Sequence, residues 1–277
     1  MVNPNISIIM SVYNGETLIT RAIKSILNQT HKNFEFIILD DGSKDGSLNK
    51  IKKFKDKRIR LFSFRENKGL AFRLNQGVNL AKGKYIARMD DDDISHPDRL
   101  KRQLEFMQKN PDYDLISSKC VTISKNEKVL SELPFKETHD QICKYPFISF
   151  YLPHPARFGK RIWFIKHPYS YPSSYFSEDQ ELLLKTYKKS KFYSISDYLL
   201  AYRLKENVPL IKLIKINHAL FVTQIREFYK EKLIFFIILS TFIFLIRNLM
   251  ILFPLIKIYK NKSIDLRDKL NWEKLIR

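Results

Sequence analysis

The sequence predicts an α/β protein with a Rossmann-like, mostly parallel central sheet, helices on both faces and amphipathic or hydrophobic helices at its C-terminal end. Three observations support this fold class. Strand-like and helix-like runs alternate four times within about the first 110 residues, which is typical of parallel sheets. Turn residues such as Asp, Asn and Gly follow the strand-like runs. From Leu204 onward, the chain consists of apolar runs that carry scattered cations.

Each predicted strand is a short run of β-branched and other apolar residues that ends in a turn signal. The four runs cover residues 6–12, 34–39, 59–64 and 85–89. Apolar residues at helical spacing predict the helices between them, over residues 16–28, 48–54 and 70–81. In an open sheet of this kind, ligands bind at the carboxyl ends of the strands.

Four consecutive aspartates, Asp90 to Asp93, follow the fourth strand and precede a helix that Pro97 opens. Adjacent carboxylates repel one another, and burying them without partners costs free energy. A bound divalent cation would relieve the repulsion, and hard carboxylate oxygens suit Mg²⁺ or Mn²⁺. The alternative is a solvated acidic turn, which is a common origin of Asp runs.

The ends of the first two strands carry polar residues as well. Ser11 and Tyr13 end the first strand, and Asp40 and Asp41 end the second. These groups should converge with the acid cluster at one edge of the sheet. A carboxylate there can accept hydrogen bonds from a nucleobase or a ribose, and the tyrosine ring offers a stacking face. Taken alone, the Asp-Asp-Gly-Ser segment at 40–43 is also compatible with a plain turn.

The first strand is followed by neither a phosphate-binding loop with Gly-Lys-Ser/Thr nor a Gly-x-Gly-x-x-Gly fingerprint. A nucleotide in this cleft would therefore hold its diphosphate through the metal ion and through basic residues. Arg73, Lys84 and Arg88 are the candidates for these contacts.

Several of these segments resemble glycosyltransferase family 2. They comprise residues 7–15, 25–30, 38–43, 66–69, 73–77 and 87–100. The resemblance is close over about the first 110 residues and looser to about residue 205. It implies a GT-A fold, a nucleotide-sugar donor, a divalent cation (Mn²⁺ or Mg²⁺) and inversion at the anomeric carbon.

The resemblance also implies roles for individual residues of the donor site. Asp41 corresponds to the residue that contacts the donor base, and Ser11 and Tyr13 flank the same pocket. Asp90 and Asp92 match the Asp-x-Asp motif, with Asp92 as the direct metal ligand and Asp90 nearer the donor sugar or ribose. The motif's middle residue, often Ala in relatives, is Asp91 here, so the ligand assignment stays open by one residue. Arg73 and Asp91 complete the predicted nucleotide-sugar site.

The acceptor side has two candidate features. Glu178, Asp179 and Glu181 lie in the first turn of a predicted helix, where negative charge is favourable for structural reasons alone. The resemblance implies instead that this Glu-Asp pair supplies the catalytic base, with Asp179 first and Glu178 as the alternative. His154, in a His-Pro element, is either a contact to the diphosphate or the acceptor or a hydrogen-bonded structural histidine.

The predicted domains are a GT-A domain over residues 1–205 and a basic, hydrophobic helical tail over 206–277. The domain divides into a nucleotide-sugar half (1–110) and an acceptor half (111–205). Residues 203–277 hold 15 Lys or Arg and 6 Asp or Glu. The apolar run 233–246 has 14 uncharged residues before Arg247, short of the ~20 that span a bilayer.

The preferred interpretation of residues 210–262 is a set of helices that lie in or dip into the cytoplasmic leaflet, where the flanking lysines meet anionic headgroups. A kinked transmembrane segment and a soluble packing or oligomer helix pair are the alternatives. The N-terminus shows no signal-peptide pattern, and two cysteines without metal spacing fit a reducing compartment. The catalytic part is therefore expected in the cytosol.

The formal net charge of +20 indicates a polyanionic partner, such as nucleic acid, anionic lipid or a phosphate-bearing substrate. The acid cluster in the predicted cleft argues against nucleic acid. Together with the apolar tail, the resemblance to glycosyltransferase family 2 implies a hexosyl- or N-acetylhexosaminyltransferase at the cytoplasmic face of the inner membrane, peripheral or monotopic. It would move sugar from a UDP-sugar to a hydroxyl of a lipid-linked glycan in lipopolysaccharide, capsule or O-unit synthesis. A metal-dependent nucleotidyltransferase and a basic nucleic-acid-binding protein are the alternatives.

Overall fold

The computed structural model describes residues 4–171, 177–205, 208–252 and 264–276. The strands in these ranges are β1 (Ile6–Val12), β2 (Phe34–Asp40), β3 (Ile59–Ser63), β4 (Tyr85–Met89), β5 (Ile94–Ser95), β6 (Leu115–Ile123), β7 (Val129–Glu132), β8 (Phe158–Lys160) and β9 (Phe192–Arg203). The α-helices are α1 (Ile19–Leu27), α2 (Ser47–Lys52), α3 (Leu70–Leu80), α4 (Arg99–Lys109), α5 (His139–Cys143), α6 (Arg161–Lys166), α7 (Glu178–Thr186), α8 (Leu210–Lys230), α9 (Ile234–Leu252) and α10 (Leu266–Ile276). A single 3₁₀ turn covers His154–Ala156.

All described strands belong to one sheet in the order β3-β2-β1-β4-β8-β6-β9-β5, with β7 paired to β6. The first four strands are parallel, as predicted. The second half is mixed, because β8 runs antiparallel to both β4 and β6, and β5 runs antiparallel to β9. The neighbouring strands β6 and β9 are parallel to each other.

The core has an apolar layer on each side of the first strands. Alternate residues of β1 face opposite sides, so that Ile8 packs with α1 and α4 while Ile9 packs with α3. Together the two layers bury both faces of β1 and β2. Cys120 is buried in the first layer, as its apolar surroundings predict. The predicted α/β architecture with helices on both faces is confirmed.

The tail forms a helical hairpin of α8 and α9 that packs against α7. Arg247 and Asn248, which follow the apolar run 233–246, lie within α9, which continues through both of them. The helix tolerates them because Arg247 donates to the carbonyl of Ile148 (3.0 Å) and Asn248 pairs with Asn217 (3.0 Å). Residues 253–263, the end of the predicted membrane segment, lie outside the described part of the chain.

Candidate active site

The carboxyl ends of β1, β2 and β4 meet at one edge of the sheet, as the sequence predicts. They line a cleft of about 330 Å³ together with the end of β9. The predicted site residues among its lining are Ser11, Tyr13, Asp41, Asp90, Asp91 and Asp92. Tyr13 is about half exposed at the mouth of the cleft, which leaves its ring free to stack on a planar ligand.

Asp41 is held rigidly at the floor of the cleft. Its carboxylate accepts hydrogen bonds from the main-chain N–H groups of Lys68 (2.9 Å) and Gly69 (2.8 Å). It also accepts one from Nε of Arg73 (2.6 Å), whose side chain is buried and stacks 3.7 Å from the centre of the Phe64 ring. Arg73 is not among the described residues that line the cleft, and it therefore orients Asp41 from behind.

The other two basic candidates lie at opposite ends of β4. Lys84 precedes the strand at the edge of the sheet away from the cleft, so its assignment to the diphosphate was wrong. Arg88 lines the cleft, is buried and forms an ion pair with Asp90. Its Nε and Nη1 groups have no hydrogen-bond partner among the described residues. A buried guanidinium with unused donors at a cleft is suited to bind an anion.

The acid cluster gathers three carboxylates. One oxygen each of Asp90, Asp92 and Asp93 lies within 4.8 Å of the others. Oδ1 of Asp93 accepts from the main-chain N–H of Arg203 at 2.8 Å, whereas its buried Oδ2 has no hydrogen-bond partner in the described ranges. An unpaired buried oxygen beside two further carboxylates fits a hard divalent cation such as Mn²⁺ or Mg²⁺.

The closeness of the carboxylates also shifts their pKa values. Burial raises the pKa of Asp91 to about 7, and the charges of Asp92 and Asp90 act in the same direction. Burial, followed by the charge of Asp90, also raises the pKa of Asp92 and, more strongly, of Asp93. Since a cation would supply the missing counter-charge, these shifts are consistent with a metal site.

The structure adds Asp93 to the predicted metal pair of Asp90 and Asp92. Asp91 lines the cleft and turns towards Gly15, where an added Cβ would lie 2.3 Å from Asp91 Oδ2. Nothing in the four-residue run distinguishes the second and fourth acids, because their directions depend on how β5 pairs with β9. No local signal in the sequence points to Tyr202, Arg203 and Lys205, which line the cleft from the end of β9.

The two candidates for the catalytic base, Glu178 and Asp179, lie in the first turn of α7. The carboxylate of Asp179 lies 3.7 Å from Nη2 of buried Arg157 and accepts a hydrogen bond from Nε2 of Gln180 (3.2 Å). Burial, and then the charge of Asp179, raise the pKa of Glu178, on which the charges of Arg88 and Asp90 also act. Neither acid is among the described residues that line the cleft. Arg88 and Asp90, whose charges act on Glu178, do line it.

His154 is part of a partly buried hydrogen-bonded pair. Its Nε2 lies 2.8 Å from the hydroxyl of Tyr169. Burial, followed by the positive charges of Arg88 and Arg157, holds the pKa of His154 well below its usual value. The imidazole is therefore neutral at physiological pH. This favours the structural alternative for His154, although the ring stands close to Arg88 and hence to the cleft.

Comparison with known proteins gives a consistent family. A model of glycosyl transferase family 2 matches residues 7–168. An uncharacterized glycosyltransferase of Methanocaldococcus jannaschii is 34% identical over 238 residues, which cover 84% of this chain and 82% of that protein. The O-antigen biosynthesis glycosyltransferase WbnJ of Escherichia coli is 31% identical over 236 residues, covering 83% and 91%.

Two solved structures share the fold. TarS of S. aureus, in complex with UDP, has a TM-score of 0.61 at 20% identity and covers 80% of this chain and 65% of its own. The mannosyltransferase PcManGT of Pyrobaculum calidifontis, in complex with GDP-Man and Mn²⁺, has a TM-score of 0.62 at 15% identity, covering 82% and 64%. This chain thus spans about two thirds of each. From the family match, the full-length relatives and the shared architecture, the chain belongs to glycosyltransferase family 2 and has the GT-A fold.

Proposed function

We propose that this glycosyltransferase moves a hexosyl or N-acetylhexosaminyl group, with inversion, from a UDP-sugar to a hydroxyl of a glycan acceptor. The observation that carries the proposal is the trio of carboxylates from Asp90, Asp92 and Asp93, within 4.8 Å of one another. Two of them, Asp90 and Asp92, line the same cleft as Tyr13 and Asp41. This arrangement offers a cation site beside a nucleotide pocket. TarS was also solved with UDP-GlcNAc, which supports the choice of donor class.

The donor nucleotide would lie across the ends of β1 and β2. Tyr13 would stack on the base, and the oriented carboxylate of Asp41 would accept a hydrogen bond from a base or ribose donor. Ser11 lines the same cleft. Arg88 would donate its two unused N–H groups to a phosphate oxygen, which stabilises the negative charge that the leaving diphosphate acquires.

Asp90, Asp92 and Asp93 would hold the divalent cation. A bound Mn²⁺ or Mg²⁺ supplies positive charge that polarises phosphate oxygens and neutralises a leaving diphosphate. Asp93 keeps one oxygen fixed by the main-chain N–H of Arg203 and leaves the other free for a ligand. Asp90 would contact the cation and also forms an ion pair with Arg88.

Asp179 would act as the base that removes the proton from the acceptor hydroxyl, as that oxygen attacks the anomeric carbon opposite the leaving group. Arg157 and Gln180 fix the carboxylate in place, and a positioned carboxylate can serve as a general base. Glu178 is the alternative, since the charges of the cleft act on it directly.

The test of transfer uses a panel of nucleotide sugars with the purified full-length chain. Release of nucleoside diphosphate, dependent on Mn²⁺ and abolished by a chelator and by Asp92→Asn, supports the proposal. Asp179→Asn should lower turnover about 10²–10⁴-fold while donor affinity stays unchanged, with Glu178→Gln as the matched comparison. Release that persists in the presence of the chelator, or normal turnover in both acid variants, would refute the assignment.

We further propose that the enzyme works at the cytoplasmic face of the inner membrane on a lipid-linked acceptor of polysaccharide synthesis. One face of α9 carries large apolar side chains that are more than half exposed: Ile234, Phe235, Ile238, Phe242, Leu245 and Leu249. By length and composition, Ile234–Ile251 could cross a membrane. The similarity to an O-antigen glycosyltransferase supports this class of acceptor.

The position of the polar residues favours a helix that lies in one leaflet over one that spans the bilayer. Arg247 and Asn248 face the protein and are hydrogen-bonded there, and Phe236 and Ile237 pack on its core, so the opposite, exposed face of α9 is the one open to lipid. Lys230 and Lys232 at the turn between α8 and α9 would meet anionic headgroups, at about 1 kcal/mol each near the surface.

Vesicles of phosphatidylglycerol test the membrane proposal. Phe235→Ser with Phe242→Ser should weaken vesicle binding at least about 10-fold, because each substitution removes an aromatic ring that would be buried in the lipid. Ile162→Ser with Ile165→Ser, two exposed apolar residues of α6, is the matched control and should leave binding unchanged. Equal loss in both pairs would contradict the assignment. Resistance of the membrane-bound protein to carbonate extraction would show a spanning helix instead.

A further inference from the structure

The C-terminal helix α10 packs directly on the strand that follows the acid cluster. Ile94, the residue after Asp93, lies in an apolar cluster with Trp272 and Ile276 of α10. Trp272 is buried and also meets the ring of His96, with 5.5 Å between the ring centroids. The last described turn of the chain therefore covers one end of the loop that carries the metal-type carboxylates.

A second connection runs from α10 to the same loop through charged side chains. The main-chain carbonyl of Ile276 accepts a hydrogen bond from Arg21 of α1. Nε of Arg21 donates to Oε1 of Glu127 at 3.0 Å, and Nη2 of Arg203 lies 3.5 Å from the same oxygen. Glu127 thus links α10 and α1 to the end of β9.

Arg203 completes the path at the acid cluster. Its Nε donates to the carbonyl of Asp92 (2.7 Å), and its main-chain N–H donates to Oδ1 of Asp93 (2.8 Å). Nη1 donates to the carbonyls of Ser124 and Lys125 at 2.8 and 3.0 Å. Because the Arg203 side chain is buried, these contacts fix the direction of the Asp92–Asp93 segment.

The backbone of Glu127 indicates that its carboxylate matters at this position. Glu127 has a φ of +62° in the turn between β6 and β7, a left-handed conformation that Asn and Gly adopt more readily than Glu. A residue chosen only for the turn would therefore be Asn or Gly. The two arginine partners give a reason for a carboxylate in its place.

We propose that α10, Arg21, Glu127 and Arg203 form a clamp that sets the affinity of the acid cluster for its divalent cation. Arg21 and Glu127 are positioning residues, since they act on Asp92 and Asp93 through Arg203, which itself lines the cleft. The clamp rests on the proposed function of those aspartates as metal ligands. Groups that orient metal ligands commonly change metal affinity when they are removed.

Titration of the full-length protein with Mn²⁺ alone, followed by calorimetry or by the paramagnetic resonance of free Mn²⁺, tests the clamp without requiring any sugar transfer. Glu127→Gln removes both ion pairs and should raise the Mn²⁺ dissociation constant about 10-fold. Trp272→Ala releases α10 and should raise it similarly. Releasing α10 also takes the Ile276 carbonyl away from Arg21, so both changes affect one connected network, and the effect of the double variant should be smaller than the sum of the two single effects.

Two control variants separate an effect of the clamp from a general effect of the substitution. Asp112→Asn removes an exposed ion pair with Lys191 and should leave Mn²⁺ affinity unchanged. Glu127→Asn suits the left-handed turn, so a structural role alone predicts wild-type affinity, whereas the clamp predicts weaker binding. Circular dichroism must show native structure in every variant compared.

The outcomes separate the clamp from the proposed function on which it rests. If Asp92→Asn leaves Mn²⁺ binding intact, the proposed metal site itself fails. If Asp92→Asn abolishes binding but Glu127→Gln and Glu127→Asn bind like the wild type, only the clamp is overturned. Full additivity of the Glu127 and Trp272 effects would also overturn it, since two independent sites would then be involved.

Discussion

The carboxylate cluster should make the metal-free protein less stable as the pH rises. Burial and the neighbouring acids raise the pKa of Asp91 from 3.8 to about 7. The folded protein therefore holds this proton more tightly than the unfolded chain, and stability is greatest below pH 3.8 and is lost as the pH rises through about 7. The raised pKa values of Asp92 and Asp93 act in the same direction.

The size of the effect follows from the linkage between proton binding and folding. A rise in pKa from 3.8 to about 7 corresponds to ~4 kcal/mol as an upper limit, because ions that collect in the open cleft screen the charges. About 2.5 kcal/mol of this is lost between pH 5 and pH 8. For a chain of this length, that loss lowers the melting temperature by roughly 5 °C.

Thermal unfolding with a chelator at pH 5, 6, 7 and 8, followed by tryptophan fluorescence, measures this loss. Other groups also titrate in this range, so the informative quantity is the difference between the wild type and Asp91→Asn. The variant should show a flatter profile and a higher melting temperature than the wild type at pH 8. Saturating Mn²⁺ should restore stability to the wild type at pH 8, because the cation binds the ionised carboxylates.

Identical pH profiles for the wild type and Asp91→Asn would refute the reasoning. So would a wild-type protein that gains stability relative to the variant between pH 5 and pH 8. In either case the carboxylates would be solvated and independent, and the acid run would be an ordinary surface turn.

Three further substitutions test residues of the cleft and of the sheet beside it. Arg73→Met removes one partner of the buried Arg73–Asp41 pair and should lower the free energy of unfolding by about 3–5 kcal/mol in urea denaturation; a loss below ~1 kcal/mol would show that Arg73 contributes little there. Gly159→Ala places a Cβ 2.7 Å from the carbonyl oxygen of Asp114 and should cost about 1–3 kcal/mol by the same measurement, with an unchanged midpoint contradicting it. Arg88→Gln removes charge from the cleft and should lower kcat for diphosphate release about 10²-fold; an unchanged kcat would exclude Arg88 from charge stabilisation.

The parallel half of the fold could be predicted because its signals are local. Each of β1 to β4 is a run of apolar residues that ends in a turn, and the strand ends of a parallel sheet meet at one edge wherever the exact boundaries fall. The convergence of Tyr13, Asp41 and the acid cluster follows from that rule alone. The resemblance to glycosyltransferase family 2 depended on the same local segments.

The second half was harder because its contacts are distant in sequence. Arg203 reaches the acid cluster across 111 positions through its bond to Asp92. Nothing in the residues around Arg203 indicates which loop it meets, since this depends on β9 pairing with both β6 and β5. Arg73 shows the converse: its charge suggested a phosphate contact, but the fold turns it behind Asp41.

Contacts distant in sequence also explain how α9 accommodates Arg247 and Asn248. A charge within an apolar helix is costly without a partner. The tertiary structure supplies those partners in Ile148 and Asn217, and the helix continues. The apolar face of α9 remains as the sequence described it.

The sequence by itself determined that this chain alternates strands and helices, gathers acids and an aromatic ring at one sheet edge, and ends in a basic, apolar tail. These properties depend on residue type and short-range spacing. The tertiary structure alone decided that Asp93 joins Asp90 and Asp92, that Arg73 lies behind Asp41, and that α10 reaches the acid cluster. Side-chain direction and long-range pairing are fixed by how whole elements pack, and no local pattern encodes them.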